Sequence, residues 1–464
     1  VRGGTTSQNL ILLDGAPVYN AGHMMGMFST FNDDALMDAT LYKGLVPASY
    51  GGASSSVLDV TTRPGDMSSG TASIGLLSTK ASVGGPIKDG KASFYLSARR
   101  TYFDLFLKLT EKYKNTVMSF YDLNARFDWS LGPKDRLAFS AFSAKDHMSI
   151  DDLATMRWGN RSATLRWSHT YSPEFRSNVY AYVSSYDSDN DVDILEQTLN
   201  YKGFINQQGL SAKWIWKPSS SVSIDFGVQP TLYNICTGEW AYNGFPLTER
   251  RRALDAAGWV AGEWTVGSVT VLSGLRLDMF SSLGGSPYYE IDDKGNITRT
   301  LEYGKWELVK PRAVLEPRLS INWSIDDNTS IKTGYSRSSQ NIHALKNDGM
   351  SLPFDRYIVS SNLIRPQIAD QVSLGLVRAF KGGDYDISLE GYYKAIQNVI
   401  DYKEGKYLSS EIELERIVKS GEGKAYGLET TFRKNAGRMT GWLSYTLSWS
   451  LNKIDGVNNG ERYV

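Results

Sequence analysis

Arg318-Leu-Ser-Ile-Asn-Trp-Ser-Ile325 decides the fold. Leu319, Ile321, Trp323 and Ile325 point one way along an extended chain, and Arg318, Ser320, Asn322 and Ser324 the other. Such a segment is a β-strand with one apolar and one wet face. The same period of two returns in Val222–Gln229, where Val222, Ile224, Phe226 and Val228 alternate with Ser223, Asp225, Gly227 and Gln229. It returns again in Ser162–Ser168 and Trp442–Leu451, and it dominates from about residue 70 onward.

The connections carry more information than the strands. Short turn signals fall at 88–90, 132–135, 172–174, 218–221, 266–267, 326–328, 381–384 and 435–438. Long polar segments lie between them, near 101–120, 147–156, 188–205, 237–254, 282–312, 339–366 and 397–424, with Ser78–Thr79 as one short link on the long-loop side. A sandwich has no such asymmetry, whereas an outer-membrane barrel has tight turns at one rim and long loops at the other. The pattern predicts an all-β membrane protein: a large antiparallel transmembrane β-barrel of about 17 strands between residues 71 and 451. That number is odd and the last loop is left open, so C-terminal strands are expected to be missing.

Composition agrees and excludes alternatives. The 464 residues carry 50 Lys+Arg against 50 Asp+Glu, giving no electrostatic reason to expect nucleic acid as a partner. Tyr and Trp together (27 and 12) outnumber Phe (17), as they do where amphipathic rings sit at membrane–water interfaces. No run of apolar residues is long enough for a transmembrane helix, and mean hydropathy is −0.33. One cysteine, Cys236, rules out a disulfide scaffold or a Cys-based metal site. The four histidines (His23, His147, His169, His343) show no His-x-x-x-His pairing, and no nucleophile elbow or phosphate-binding loop is present. No enzyme activity, cofactor or metal is assigned. The chain opens at Val1 in what reads as mid-domain, so it is expected to be part of a longer protein.

Residues 1–69 differ from the rest. Leu10–Leu13 is an apolar run ending in Asp14-Gly15; a loop with Gly22, Gly26, Met24, Met25 and Phe28 follows. A short helix at Asp33–Asp38, a strand at Ala39–Lys43, and Gly51-Gly52 leading into a strand at Val57–Thr62 complete a small mixed α/β piece. A barrel of more than about 16 strands is too wide to fill with its own side chains, so this piece is a natural stopper.

VRGGTTSQNLILLDGAPVYN (1–20), LYKGLVPASYGGASSSVLDVTTRPG (41–65) and SFYLSARRTYFD (93–104) resemble the plug and first strands of TonB-dependent outer-membrane receptors, most of all the Bacteroidetes type. ADQVSLGL (369–376), ISLEGYYKAIQNVIDY (387–402), KAYGLETTFRKN (424–435) and GWLSYTLSWS (441–450) resemble late barrel strands of the same group. The resemblance implies a full-length barrel of about 22 strands occluded by an N-terminal plug. Residues 1–69 would then be the C-terminal part of the plug and 70–464 the barrel without its last strands. It also implies a place in the bacterial cell outer membrane among lipid and lipopolysaccharide. It implies active import of a scarce nutrient, energised by TonB with ExbB/ExbD. The plug departs from the SusC-like form, so a surface-lipoprotein partner and a glycan cargo stay open beside a small molecule, metal chelate or peptide. A passive porin or surface-binding barrel is the alternative, against which the separate N-terminal piece counts.

In the family, the loop after Asp14-Gly15 rises into the lumen and meets cargo, which makes Tyr19, Asn20, His23, Met24 and Met25 the ligand candidates. The two methionines could equally pack against the wall, as Met fills gaps. Alternation sends Glu390 and Glu429 into the lumen, and the family often carries basic residues at the positions of Arg2 and Lys43, so these four are the candidate plug–barrel contacts. Segment 187–196 places Asp187, Asp189, Asp191 and Asp193 at alternate positions but has Val192 and Thr198 where a calcium loop needs Gly and Glu. It reads as a solvated loop rather than a calcium site.

Overall fold

The computed structural model describes the chain except residues 88–89, 151–152, 195–196, 243–244, 248–249, 293, 346–354 and 404–413, and except the side chains of 194–199 and 239–249. A large antiparallel sheet of 17 strands runs from Ser69–Ile74 to Gly441–Lys453 and curves into a barrel wall. Each strand pairs with its sequence neighbour, so the wall is a meander. The first and last strands are both exposed along most of their length.

The period of two places the side chains as expected. Leu165, Val183, Leu210, Val228, Val260 and Leu319 are exposed on the outer face. Trp129, Trp167, Trp216, Trp264 and Trp323 lie outside too, each close to a short turn. That row is the aromatic girdle of one membrane–water interface, because an indole satisfies its N–H in water and buries its ring in acyl chains. On the inner face Ser320 is 9% exposed, so position 320 is covered rather than hydrated and will not accommodate the Arg that alternation alone would allow there. Leu319→Arg is expected to cost about 2–4 kcal/mol in folding into lipid vesicles, less if introduced near a rim. A denaturant series on wild type and variant checks it.

Three of the long loops are not loops. The strands Asp135–Ile150, Ala154–Ser172, Phe175–Ile194 and Gln197–Ser219 meet at connections of a few residues where segments 147–156 and 188–205 were expected to be irregular. The strand Val222–Tyr242 likewise climbs through the expected loop 237–254. Spanning takes about 9–11 residues, so these strands of up to 23 residues rise well beyond the apolar band. Ladder hydrogen bonds and cross-strand ion pairs need no lipid-facing side chains, and they carry the sheet upward. Asp187, Asp189 and Asp191 sit on the strand Phe175–Ile194 and face Arg161, Lys202 and Arg157 at 3.8, 3.8 and 3.5 Å. The expected solvated loop is therefore a paired strand up to Ile194; residues 195–196 lie outside the described residues. No cluster of three metal-ligating side chains occurs among the described residues. The first hairpin turns at 75–77, one step before the expected link at Ser78–Thr79.

The N-terminal residues form a four-stranded mixed sheet inside the wall, ordered Ala16–Pro17, Leu10–Leu13, Ser56–Thr62, Leu36–Lys43. Leu10–Leu13 runs parallel to Ser56–Thr62 and the other pairs are antiparallel. The expected helix at Asp33–Asp38 is only a single 3-10 turn, Asp33–Ala35; Asn32 caps it, and Leu36 already pairs with Thr62. Leu13, Val18 and Val60 bury themselves against Phe142 and Ala144 of the wall.

Candidate functional site: the apex of the N-terminal piece and its seat in the wall

The turn at Asp14 and Gly15 (φ 50° and 86°) reverses the chain into Ala16–Pro17, and after that short strand it leaves the sheet towards the strands around Asn160, Tyr186 and Gln207. The Asp14 carboxylate holds that turn by accepting from the Thr62 hydroxyl at 2.6 Å. Beyond it, Tyr19 N–H donates to Asn160 Oδ1 (3.0 Å) and Tyr19 O–H to Gln207 Oε1 (2.6 Å), while Gln207 Nε2 donates to Tyr182 (3.0 Å). Burial pushes the Tyr19 hydroxyl pKa up, so it acts as a neutral hydroxyl. Asn20 Nδ2 lies 3.5 Å from the Tyr186 hydroxyl.

Asn20, Met24 and Met25 all have left-handed backbone (φ 44°, 49° and 57°). A non-glycine residue held there costs of order 1–3 kcal/mol and persists only where surroundings over-determine it. The wall does so here: Asp146 accepts from Met24 N–H (2.8 Å) and contacts His23 Nδ1 (2.7 Å). His23 also stacks on Phe120 with ring centroids 3.9 Å apart, and Asp122 lies 3.6 Å from its Nε2. Asp122 in turn holds Arg99, which donates to the Ser29 carbonyl.

A cavity of about 580 Å³ lies between this piece and the wall. Tyr19, Asn20 and Met25 line it, together with Tyr182, Gln207, Tyr233, Asp255, Trp259 and Asn341. His23 and Met24 do not: they are 1% and 3% exposed and turned into the wall. These two of the five candidates therefore lie off the cavity, because Asp146 and the stack on Phe120 hold the turn facing the wall. The hairpin Ile342–Leu345 with Arg356–Val359 folds inward as a roof, and Tyr357 meets Tyr19 edge-on at 6.3 Å. Gln340, at the root of this hairpin, donates to the Ser7 carbonyl (2.8 Å) and accepts from Ser54 Oγ (2.8 Å). Gln207 was not singled out in the sequence, and alternation carried no signal for this roof, since a loop folding back has no period.

The four charged candidates come together. Arg2 Nη2 lies 2.6 Å from Glu390 Oε1, and Arg2 reaches Glu429 through Nε and Nη2 at 3.4 Å each. The contact to Glu390 is the shorter and that to Glu429 the two-pronged one. Lys43 stands 3.8 Å from Glu429 and is half exposed. A second set escaped the sequence reading: Arg276, Arg318, Glu316 and Asp278 of the wall, buried against residues 46–51.

His23 gives the site a pH response. Burial pulls its imidazolium down, but Asp122 and Asp146 outweigh burial and hold the pKa above the ordinary 6.5. A raised folded value contributes stability that is full below about pH 6.5 and is lost as pH rises through the folded value. Amide exchange over residues 22–29 should accelerate with rising pH beyond its intrinsic trend in wild type, and His23→Gln should remove that excess.

Residues 78–463 match the family model described as TonB dependent receptor-like, beta-barrel. No curated protein sequence matches the chain. The FrpB iron transporter from Neisseria meningitidis (F3-3 variant) superposes with a TM-score of 0.71 at 14% identity, over 99% of this chain and 74% of that one. The alcaligin outer-membrane receptor FauA from Bordetella pertussis gives 0.67 at 14%, over 100% and 74%. The ferric yersiniabactin uptake receptor FyuA from Yersinia pestis gives 0.68 at 13%, over 98% and 73%. At such identities the likeness is one of fold. The wall with its girdle, its meander and the family match over most of its length lead to one assignment: the chain belongs to the TonB-dependent receptor β-barrel family.

Proposed function

We propose that the protein imports a scarce nutrient across the bacterial outer membrane, driven through TonB and its ExbB/ExbD complex. Residues 1–69 act as part of a plug, and 70–464 form the membrane-spanning wall. The observation that carries this reading is the seat of the N-terminal piece: it occupies the lumen, and its apex, with the inward hairpin, encloses a cavity of cargo size. A passive porin would leave that lumen open. Cargo would enter beneath the hairpin and bind among Tyr19, Asn20, Met25, Gln207 and Tyr357, without using His23 or Met24. Because Gln340 bonds to both Ser7 and Ser54, moving the hairpin strains the plug, which offers a physical link from occupancy to the energised step. Two of the neighbours named above are an iron transporter and a ferric yersiniabactin uptake receptor, and a metal chelate is accordingly one cargo class beside other small molecules, glycans and peptides; a surface lipoprotein above the hairpin is a further open partner.

The test is growth of a deletion strain on limiting iron, copper, nitrogen and carbon sources. Complementation by wild type should restore uptake of one nutrient, and removing TonB or collapsing the proton gradient should abolish it. Tyr19→Ala with Tyr357→Ala should weaken cargo affinity by about tenfold or more while leaving heat-modifiable gel mobility intact. Uptake indifferent to TonB would overturn the energised reading.

A further inference from the structure

Three buried carboxylates, Asp255, Asp278 and Glu316, face two buried guanidiniums, Arg276 and Arg318, along the inner wall. The pairing is uneven. Arg318 lies 2.7 Å from Glu316, and Arg276 lies 3.6 Å from Asp278 and 4.0 Å from Glu316. Asp255 is 8% exposed, lines the cavity, and makes no hydrogen bond or ion pair among the described residues; its Oδ1 is wholly buried and unpartnered. A carboxylate taken out of water without a partner is costly and demands a cation or a proton donor.

The same cavity holds a second unpartnered acceptor. Asn341 is 3% exposed, and its Nδ2 donates to Asp278 at 3.3 Å, which fixes its amide with Oδ1 free. Asn20 presents a third free Oδ1 from the plug side. Around these acceptors stand the rings of Tyr182, Tyr233 and Trp259. Arg166, Lys213 and Arg276 also line the cavity, but Lys213 is held by Asp225 at 3.1 Å and Arg276 by Asp278 and Glu316, so the acceptors left without a partner and the π-faces beside them are what a desolvated ammonium can use.

We infer that the cavity binds the cationic end of an organic amine, with Asp255 as the charge partner and Asn341 and Asn20 as acceptors. The inference rests on reading this cavity as the cargo site and names the class of cargo.

The test uses purified protein in detergent micelles and needs no TonB, so it fails or succeeds independently of the uptake experiment. Tyramine, N-acetyltyramine and para-hydroxyphenylacetate share one ring and differ in charge. Calorimetry and tryptophan fluorescence should give tyramine an affinity about tenfold or more above the neutral amide, with no binding of the anion. Asp255→Asn should bring tyramine down to the level of the amide with near-UV ellipticity unchanged; if that variant does not fold, Tyr233→Leu should lower tyramine affinity by a similar factor. Equal binding of tyramine and its amide to wild type, tighter binding of the anion, or a preference that survives Asp255→Asn overturns the proposal.

Discussion

Arg2→Ala is expected to loosen the seat of the N-terminal piece in the wall by about 2–3 kcal/mol while leaving the quantity of folded barrel unchanged. The Arg2 side chain is 2% exposed; it contacts Glu390 at 2.6 Å and Glu429 at 3.4 Å and lies over the Tyr392 ring at 5.0 Å. Breaking a dry pair costs about 3–5 kcal/mol, and an exposed one about 0–1. Glu390 is 36% exposed and Glu429 21%, so solvent screens part of the loss and the value falls between those limits. Lys43, half exposed and at 3.8 Å, cannot replace the lost guanidinium. Cells carrying Arg2→Ala should admit large antibiotics, and wild type should approach the same leakiness only as salt rises. Glu390→Ala with Glu429→Ala should reproduce the phenotype. A double variant as impermeable as wild type would remove the lock.

Period-two alternation was enough to read the wall, because lipid outside and a filled lumen inside impose opposite demands on successive residues. It read the inward course of Glu390 and Glu429 for the same reason. It misjudged heights: the polar residues of 147–156 and 188–205 read as loop, but they do not stop strands from pairing, and Met148, Met156 and Ile205 among them turn inward to a buried apolar cluster. The apex was legible as a segment and not in its details. Tyr19 and Met25 face the cavity while His23 and Met24 face the wall, a difference set by Asp146, more than a hundred residues away. Contacts of that separation leave no local pattern, and the same holds for Gln340 beneath its hairpin.

Glu316→Gln should cost the seat of the N-terminal piece in the wall about 3–5 kcal/mol, the largest single-site loss expected in the molecule. Glu316 is 0% exposed, and both its carboxylate oxygens accept hydrogen bonds. Its Oε1 accepts from Ser339 N–H and Oγ at 2.7 Å each; its Oε2 lies 2.7 Å from Arg318 Nη2. Arg318 spends its other terminal nitrogen on the carbonyls of Val46 (3.1 Å) and Pro47, and Arg276 reaches those of Ala48 (3.4 Å) and Ser49 (3.5 Å). The two guanidiniums thus grip one turn of the N-terminal piece through its backbone, and Glu316 is what allows two positive charges to lie there together. Gly51 fits beneath them because a Cβ at that position would sit 2.3 Å from Arg276 Nε. An amide at 316 keeps the bond from Ser339 but turns an NH₂ donor towards Arg318, leaving both guanidiniums to share Asp278. The turn at 46–51 should then exchange its amides faster, and barrel refolding from urea should yield the lower stability. Glu316→Gln combined with Arg318→Met should recover part of the loss, since removing the stranded charge removes its desolvation penalty. If the single variant matches wild type in both measurements, these arginines are solvated in solution and the grip on the turn comes from packing alone.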